Sequence, residues 1–135
     1  MGTIHVERQI AADPVSTALL LTSPSAPEWW PGLHVTDRSG SRLRAVLSSH
    51  GDDACLELEA LPPRRTPTSF IAHFTVYGGP FDPDTGSDGT VVLSYAQDGT
   101  HVAFTLDDPQ GDLEADARRF VANLARAAER RASAA

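Results

Sequence analysis

Five histidines are the first residues of this 135-residue chain to consider for metal binding or proton transfer. His5, His73 and His101 each fall on the more polar side of an alternating segment. No histidine pair has the His-x-His or His-x-x-x-His spacing typical of metal ligands. We therefore expect solvated histidines and no metal site built on them.

An aspartate-rich segment offers carboxylates on alternate residues, at Asp82 and Asp84 and again at Asp88, as a calcium-binding loop does. The sixth position of such a loop is Ser87 here, where glycine is needed, and the twelfth is Leu93, where a bidentate glutamate is needed. The composition is equally typical of a solvated turn. We predict neither a metal nor a cofactor for this chain.

The sequence contains no motif that is typical of nucleophilic catalysis. Ser16, Ser94 and Cys55 have no base at a short spacing, and both the Gly-x-Ser-x-Gly pattern and a glycine-rich phosphate loop are absent. Because Cys55 is the only cysteine, an intramolecular disulfide and a cysteine-based zinc cluster are excluded.

Acid–base chemistry stays open, since Arg8, His73, Tyr77 and Tyr95 are groups that can polarise or deprotonate a phenol or a ketone. Only Arg8 and Tyr95 share the apolar side of their segments. A structural alternative exists for both, because such an arginine often extends to water from a strand end and a tyrosine often packs with its hydroxyl bonded nearby.

Charge and hydropathy exclude several classes of partner. The formal net charge is −7, which opposes binding to a phosphate backbone, so we expect no nucleic acid partner. No apolar run approaches the roughly 20 residues of a membrane span, and the first residues have no basic and apolar leader pattern. We expect a soluble, cytoplasmic protein.

The pattern of the first third of the chain predicts a strand followed by a short helix. Residues 4–10 alternate between apolar and polar side chains, which is typical of a strand. A helix is predicted over residues 14–21, with Asp13 as its N-cap and Pro14 at its first position. The apolar pair Trp29 and Trp30 then precedes a turn.

Two hairpins are predicted from alternation and turn residues. In the first, a turn at 49–52 and residue numbers that sum to 101 place Arg42 opposite Glu59, a favourable charge pair. In the second, Asp98-Gly99 predicts a two-residue type I′ turn that places Leu93 opposite Phe104. Between the hairpins we expect a strand over residues 69–77 and a loop over 78–89.

A long amphipathic helix is predicted at the end of the chain. Its apolar residues recur at helical spacing over 113–128, and either Asp108 or Asp112 can cap its start. Residues 132–135 are expected to fray. Neither internal repeats nor a linker divide the chain, so we expect one domain over residues 1–135.

The order of these elements resembles the START-like superfamily, also called SRPBCC. Two local motifs carry the resemblance: Ile10-Ala11-Ala12-Asp13-Pro14-Val15 at the start of the short helix, and Trp29-Trp30-Pro31-Gly32 after it. The resemblance implies an α+β helix-grip fold, in which a curved antiparallel sheet wraps the C-terminal helix and leaves a hydrophobic cavity. Members include lipid carriers, plant hormone binders and polyketide cyclases, so the fold does not fix the function.

Three functions are therefore weighed. The first is binding of a small hydrophobic, lipid- or polyketide-like molecule, in a pocket that would ordinarily exceed ~300 Å³. The second is a cyclase or aromatase that uses polar pocket residues, and the third is an interaction module, such as a homodimer, with a packed interior. The predicted ligand-binding residues are Arg8, Trp29, Trp30, Leu58, Phe74, Leu93, Tyr95, Phe104, Phe120 and Leu124.

Overall fold

The computed structural model describes residues 2–23, 26–48 and 53–134, and within them eight β-strands and two α-helices. The strands are β1 (Gly2–Ile10), β2 (Leu33–Ser39), β3 (Arg42–Leu47), β4 (Ala54–Ala60), β5 (Arg64–Arg65), β6 (Ser69–Gly78), β7 (Ser87–Ala96) and β8 (Gly99–Asp108). The helices are α1 (Pro14–Leu21) and α2 (Glu114–Ala134), and a 3₁₀ turn covers Ala26–Trp29. This is the α+β helix-grip architecture that the sequence predicts.

All strands belong to one antiparallel sheet in the order β1-β8-β7-β6-β4-β3-β2, with the short β5 pairing with β6. Strand β2 is an edge strand that the alternation pattern does not reveal. Its pairing with β3 shifts by one residue between Val35 and Asp37, which leaves Thr36 as the extra residue of a bulge.

The register of the first predicted hairpin is confirmed. Arg42 pairs with Glu59 and Arg44 with Glu57 across β3 and β4. The Arg42 Nε lies 3.1 Å from Glu59 Oε2, and the Arg44 Nε lies 3.7 Å from Glu57 Oε1. The predicted turn at 49–52 falls outside the described residues.

The register of the second predicted hairpin is wrong by two residues. Leu93 pairs with Val102 instead of Phe104, and Tyr95 pairs with Thr100. A shift of two residues keeps every side chain on its original face of the sheet, because the side-chain period of a strand is two. The apolar side chains of β7 and β8 therefore still face the interior together.

The reason for the shift lies in the position of Gly99. Ala96 pairs with Gly99, so the turn residues are Gln97 and Asp98 and not Asp98 and Gly99. Gly99 has a φ of 150°, and a Cβ atom at this position would collide with the carbonyl oxygen of Ile10. The glycine is thus required by close approach to the end of β1, and not by a type I′ turn.

Aspartate side chains hold the start of α1 and the segment that leads into α2. The Asp13 carboxylate accepts a hydrogen bond from the Ser16 amide at 3.0 Å, as predicted. The segment before α2 is held by Asp108, whose two carboxylate oxygens accept from the amides of Gly111 at 2.9 Å and Leu113 at 3.1 Å. Residues 132–134, which sequence analysis predicts to fray, belong to α2.

The core lies between the sheet and the apolar face of α2. Leu113, directly before α2, is almost completely buried, as are the members of that face: Ala117, Val121, Leu124, Ala125 and Ala128. They belong to one cluster with the inward side chains of β1, β7 and β8. Among the described residues, no helix has both the length and the apolar character that a membrane crossing needs.

Candidate ligand cavity

An apolar cavity of about 140 Å³ lies between the sheet, the 3₁₀ turn and the first turns of α2. Strands β3, β4, β6, β7 and β8 each contribute inward side chains to its wall. Strand β1 contributes none among the described residues, because its inward side chains pack in the core cluster instead. The cavity therefore extends along the concave side from β8 to β2 and does not reach β1.

Four aromatic rings form one continuous group in the cavity wall. The Phe104 ring is central: its centroid lies 5.4 Å from that of Phe120, 6.1 Å from that of Phe74 and 6.3 Å from that of Trp30. The Trp30 and Phe120 centroids are 6.1 Å apart. These are the separations of favourable aromatic contacts, so the rings present a surface against which another ring can pack.

Each ring is positioned by a different element. Phe104 lies in the middle of β8, opposite Val6 on one side and Val91 on the other. Phe120 is on α2, and the segment that carries Trp30 is tied to α2 by a hydrogen bond of 2.8 Å from Asn123 Nδ2 to the carbonyl oxygen of Trp29. The cavity wall therefore depends on contacts between residues that are distant in the sequence.

The exposed members of the lining mark the mouth of the cavity. They follow one another at the end of β4 and just beyond it, where Leu61 is 56% exposed and Pro63 is half-buried. The opposite end is closed by buried side chains, among them Leu56, Val76 and Phe81. Phe81 belongs to the loop between β6 and β7, and sequence analysis misses it because its neighbours are turn residues.

Five of the ten predicted ligand-binding residues line this cavity: Trp30, Leu58, Phe74, Phe104 and Phe120. Leu93 and Leu124 are buried in the core and lie outside the lining. Trp29 is half-buried and packs against the core beside Trp30 without lining the cavity.

Arg8 and Tyr95 lie outside the cavity as well. Both side chains are exposed, Tyr95 by 52%. Tyr95 lines a shallow surface depression of about 330 Å³, which it shares with Asp13 and Asp98. This depression is larger than the cavity but open and partly polar, so it is a weaker candidate for an apolar ligand. The binding roles of Arg8 and Tyr95 stay predictions.

Polar chemistry is almost absent from the cavity wall. Among the described lining residues, His73 alone has an ionisable side chain, and its Nδ1 lies 3.4 Å from Thr90 Oγ1. His73 alternates with the inward Ala72 and Phe74, so its exposed side chain is on the outer face of the sheet. The cavity can therefore exclude water and pack against apolar atoms, but it holds no inward acid or base from this part of the chain.

The sequence also suggests two polar clusters, and both lie on the surface of the protein. Glu7 lies between two histidines, with its oxygens 2.8 Å from His101 Nε2 and 3.2 Å from His5 Nε2, and these hydrogen bonds lower the pKa of Glu7. The pKa of Asp82 is lowered because its carboxylate accepts the amides of Thr85 and Asp84. Within the described residues, no three His, Cys, Asp or Glu side chains are placed to hold a metal ion.

Comparison with known proteins reveals likeness in structure alone. No family model and no curated protein matches the chain. A protein from Chromobacterium violaceum superposes with a TM-score of 0.70 at 16% identity, covering 96% of this chain and 99% of that one. A protein from Thermus thermophilus gives 0.67 at 21% identity, covering 93% and 95% of the two chains.

A third solved structure bears the name of the superfamily. It is described as a START superfamily protein from Mycobacterium smegmatis and has a TM-score of 0.62 at 18% identity, with 96% of this chain and 95% of that chain covered. These likenesses extend over nearly the whole chain, and they agree with the two motifs that flank α1. The chain has the START-like, or SRPBCC, helix-grip fold.

Proposed function

We propose that this protein binds a small apolar molecule, about the size of one aromatic ring, in the cavity between the sheet and α2. The observation that carries the proposal is the cavity wall itself, which is apolar and presents the rings of Trp30, Phe74, Phe104 and Phe120. Pockets that bind small molecules have this predominantly apolar and aromatic lining.

The cavity volume sets the size of the ligand. At about 140 Å³ it is well below the ~300 Å³ expected of a pocket for a whole lipid or polyketide. A dry cavity of roughly 150 Å³ lined by Leu, Ile and Phe is large enough to bind benzene. The volume therefore favours a single ring or a short branched chain over the larger ligands that sequence analysis predicts.

The expected affinity is modest. A single ring buries about 150 Å² of apolar surface, which at roughly 25 cal/mol per Å² contributes about 4 kcal/mol. This corresponds to a Kd near 1 mM, and ring–ring contacts of about 0.5–1.5 kcal/mol each lower it further. We expect a Kd of about 0.1–1 mM for an unadorned ring.

Titration with toluene, followed by backbone amide NMR, tests the proposal. The shift changes are expected around Phe104 and Val91, at the centre of the cavity wall. Filling the cavity by Ala72→Leu should weaken binding at least tenfold, because Ala72 is part of the lining.

The matched control is Ala103→Leu, which makes the same substitution in β8 beside the inward Phe104, on the opposite face of the sheet. It should leave the toluene Kd within twofold. Absence of saturable shifts at millimolar toluene, or equal binding by both variants, would contradict the proposed function.

A further inference from the structure

The chemical class of the ligand can be narrowed further by Arg65, a cation on the cavity side of the sheet that lies beyond the lining residues Pro63 and Ala72. Resting on the function proposed above, we infer that the natural ligand is an apolar carboxylic acid, with its apolar part in the aromatic cavity and its carboxylate bound by Arg65.

The pairing of β5 places Arg65 on the cavity side of the sheet. Arg65 lies directly opposite Phe70 of β6, and directly opposed residues of an antiparallel pair point to the same face. Phe70 shares its face with Ala72 and Phe74, because side chains alternate along a strand. Since Ala72 and Phe74 line the cavity, Arg65 is on the concave side.

The chain that leads to β5 supports the same placement. Leu61 and Pro63 line the cavity mouth, and Arg65 follows two residues after Pro63. The guanidinium carbon of Arg65 is 5.9 Å from the centroid of the Phe70 ring, a cation–π distance. The contact holds the charged group close to the concave surface, one strand repeat beyond the lining residue Ala72.

The guanidinium of Arg65 is also available to bind a carboxylate. Arg42, Arg44 and Arg118 each have a carboxylate partner, whereas no carboxylate among the described residues lies within ion-pair distance of Arg65. A guanidinium binds a carboxylate through two parallel N–H···O bonds. An anionic group on the ligand would supply such a carboxylate partner.

The distance along β6 between the Ala72 and Phe70 positions suggests the shape of the ligand. Two residues along a strand span roughly 6.6–6.8 Å, so the Phe70 position lies about that far beyond Ala72. A ring joined to a carboxylate by a short alkyl spacer has the corresponding shape. 3-Phenylpropanoate is therefore a suitable probe, and 3-phenylpropanamide is its neutral counterpart of nearly the same size.

The experiment measures the Kd of both probes for the wild-type protein, Arg65→Gln and Arg64→Gln by calorimetry. Arg64 is the matched control: it is adjacent in β5 and carries the same charge, but it is paired with Ile71 and so faces the other side of the sheet. We expect Arg65→Gln to weaken 3-phenylpropanoate binding about tenfold, since the paired hydrogen bonds between the guanidinium and the carboxylate are lost.

The other affinities are expected to change by less than twofold. Arg64→Gln should leave both probes unaffected, and Arg65→Gln should leave the amide unaffected, which also shows that the variant keeps its cavity. Equal loss in the two variants, or equal affinity of the acid and the amide for the wild-type protein, would overturn the carboxylate site while the proposed apolar cavity stands. If neither probe binds although toluene does, this inference fails and the proposed apolar cavity stands; if toluene does not bind either, both fail.

Discussion

The phenyl ring of Phe74 on β6 lies across the backbone of Gly89 on β7. The two residues are directly paired in the sheet, and a Cβ atom added at Gly89 would collide with the far edge of the ring. The absence of a side chain at residue 89 lets the ring occupy that space and reach Phe104, whose centroid is 6.1 Å away. One glycine thus sets the orientation of an aromatic wall of the cavity.

Gly89→Ala should therefore displace the Phe74 ring. Inserting a methyl group into a packed site of this kind destabilises a protein by about 1–3 kcal/mol. We expect a loss of this size in the free energy of unfolding, measured by urea denaturation, together with weaker toluene binding.

Two further variants isolate this effect. Gly2→Ala is the control, because a Cβ at Gly2 meets no atom within 4 Å, and it should change stability little. Phe74→Leu in the Gly89→Ala background should recover part of the stability by removing the clash. Unaltered stability of Gly89→Ala would show that the ring is not held as described.

Phe104→Ala should destabilise the protein by about 3–5 kcal/mol, the usual result of removing a buried phenyl ring. The Phe104 side chain is only 1% exposed and contacts three other rings. Tyr95→Ala, at an aromatic residue that is 52% exposed, should change stability by less than about 0.5 kcal/mol. Urea denaturation of both variants checks the prediction, and comparable losses would contradict it.

Asp13→Ala should destabilise the protein by about 1 kcal/mol at pH 7, because the N-cap of α1 is lost. Asp13→Asn should retain most of the stability, since asparagine caps equally well. Hydrogen bonds from the side chain and the backbone amide of Ser16 lower the pKa of Asp13 below its ordinary value of 3.8. The stabilisation by the carboxylate is therefore complete above pH 3.8 and is lost as the pH falls through the lower, folded-state pKa.

The difference between wild type and Asp13→Ala should accordingly shrink in acid. Urea denaturation at pH 7 and near pH 2.5 measures it. A difference that stays constant over this range would mean that the Asp13 carboxylate does not stabilise α1.

Asp108→Ala should destabilise the protein by about 1–3 kcal/mol, because the amides of Gly111 and Leu113 lose their acceptor near the buried start of α2. The neighbouring Asp107 is exposed, and its carboxylate accepts only a 3.3 Å hydrogen bond from Thr3 among the contacts of the described chain. Asp107→Ala should therefore have little effect. Equal losses in thermal unfolding would refute the special role of Asp108.

Local patterns were sufficient for much of the fold. The register of β3 and β4 is specified both by alternation and by the charge pairs Arg42–Glu59 and Arg44–Glu57. One pairing of the two strands satisfies both conditions. The register of β7 and β8 could not be derived in this way. Glycine is needed at residue 99 because the backbone of Ile10, far away in the sequence, lies too close for a side chain. Strand β2 was missed because its bulge interrupts the alternation.

The candidate site was predictable only in part. Alternation assigns a residue to a face but does not say where along that face the cavity ends, and this is why Tyr95 was included and is exposed. Phe81 and the pairing of Phe74 with Gly89 depend on how a loop and two strands meet in space. Arg65 was overlooked for the same reason, since its face is known only once β5 is paired with β6.

The bulge in β2 has a consequence for the behaviour of the protein at high concentration. An edge strand with a regular row of unpaired amides and carbonyls can recruit a strand from another molecule and start a fibre. Here the extra residue Thr36 interrupts that row, its hydroxyl is hydrogen-bonded to the Arg44 carbonyl oxygen at 3.2 Å, and the charged Asp37 and Arg38 follow. Strand addition at this edge would first require β2 to straighten, so the irregularity that hides β2 in the sequence also protects this edge of the sheet from pairing with another molecule.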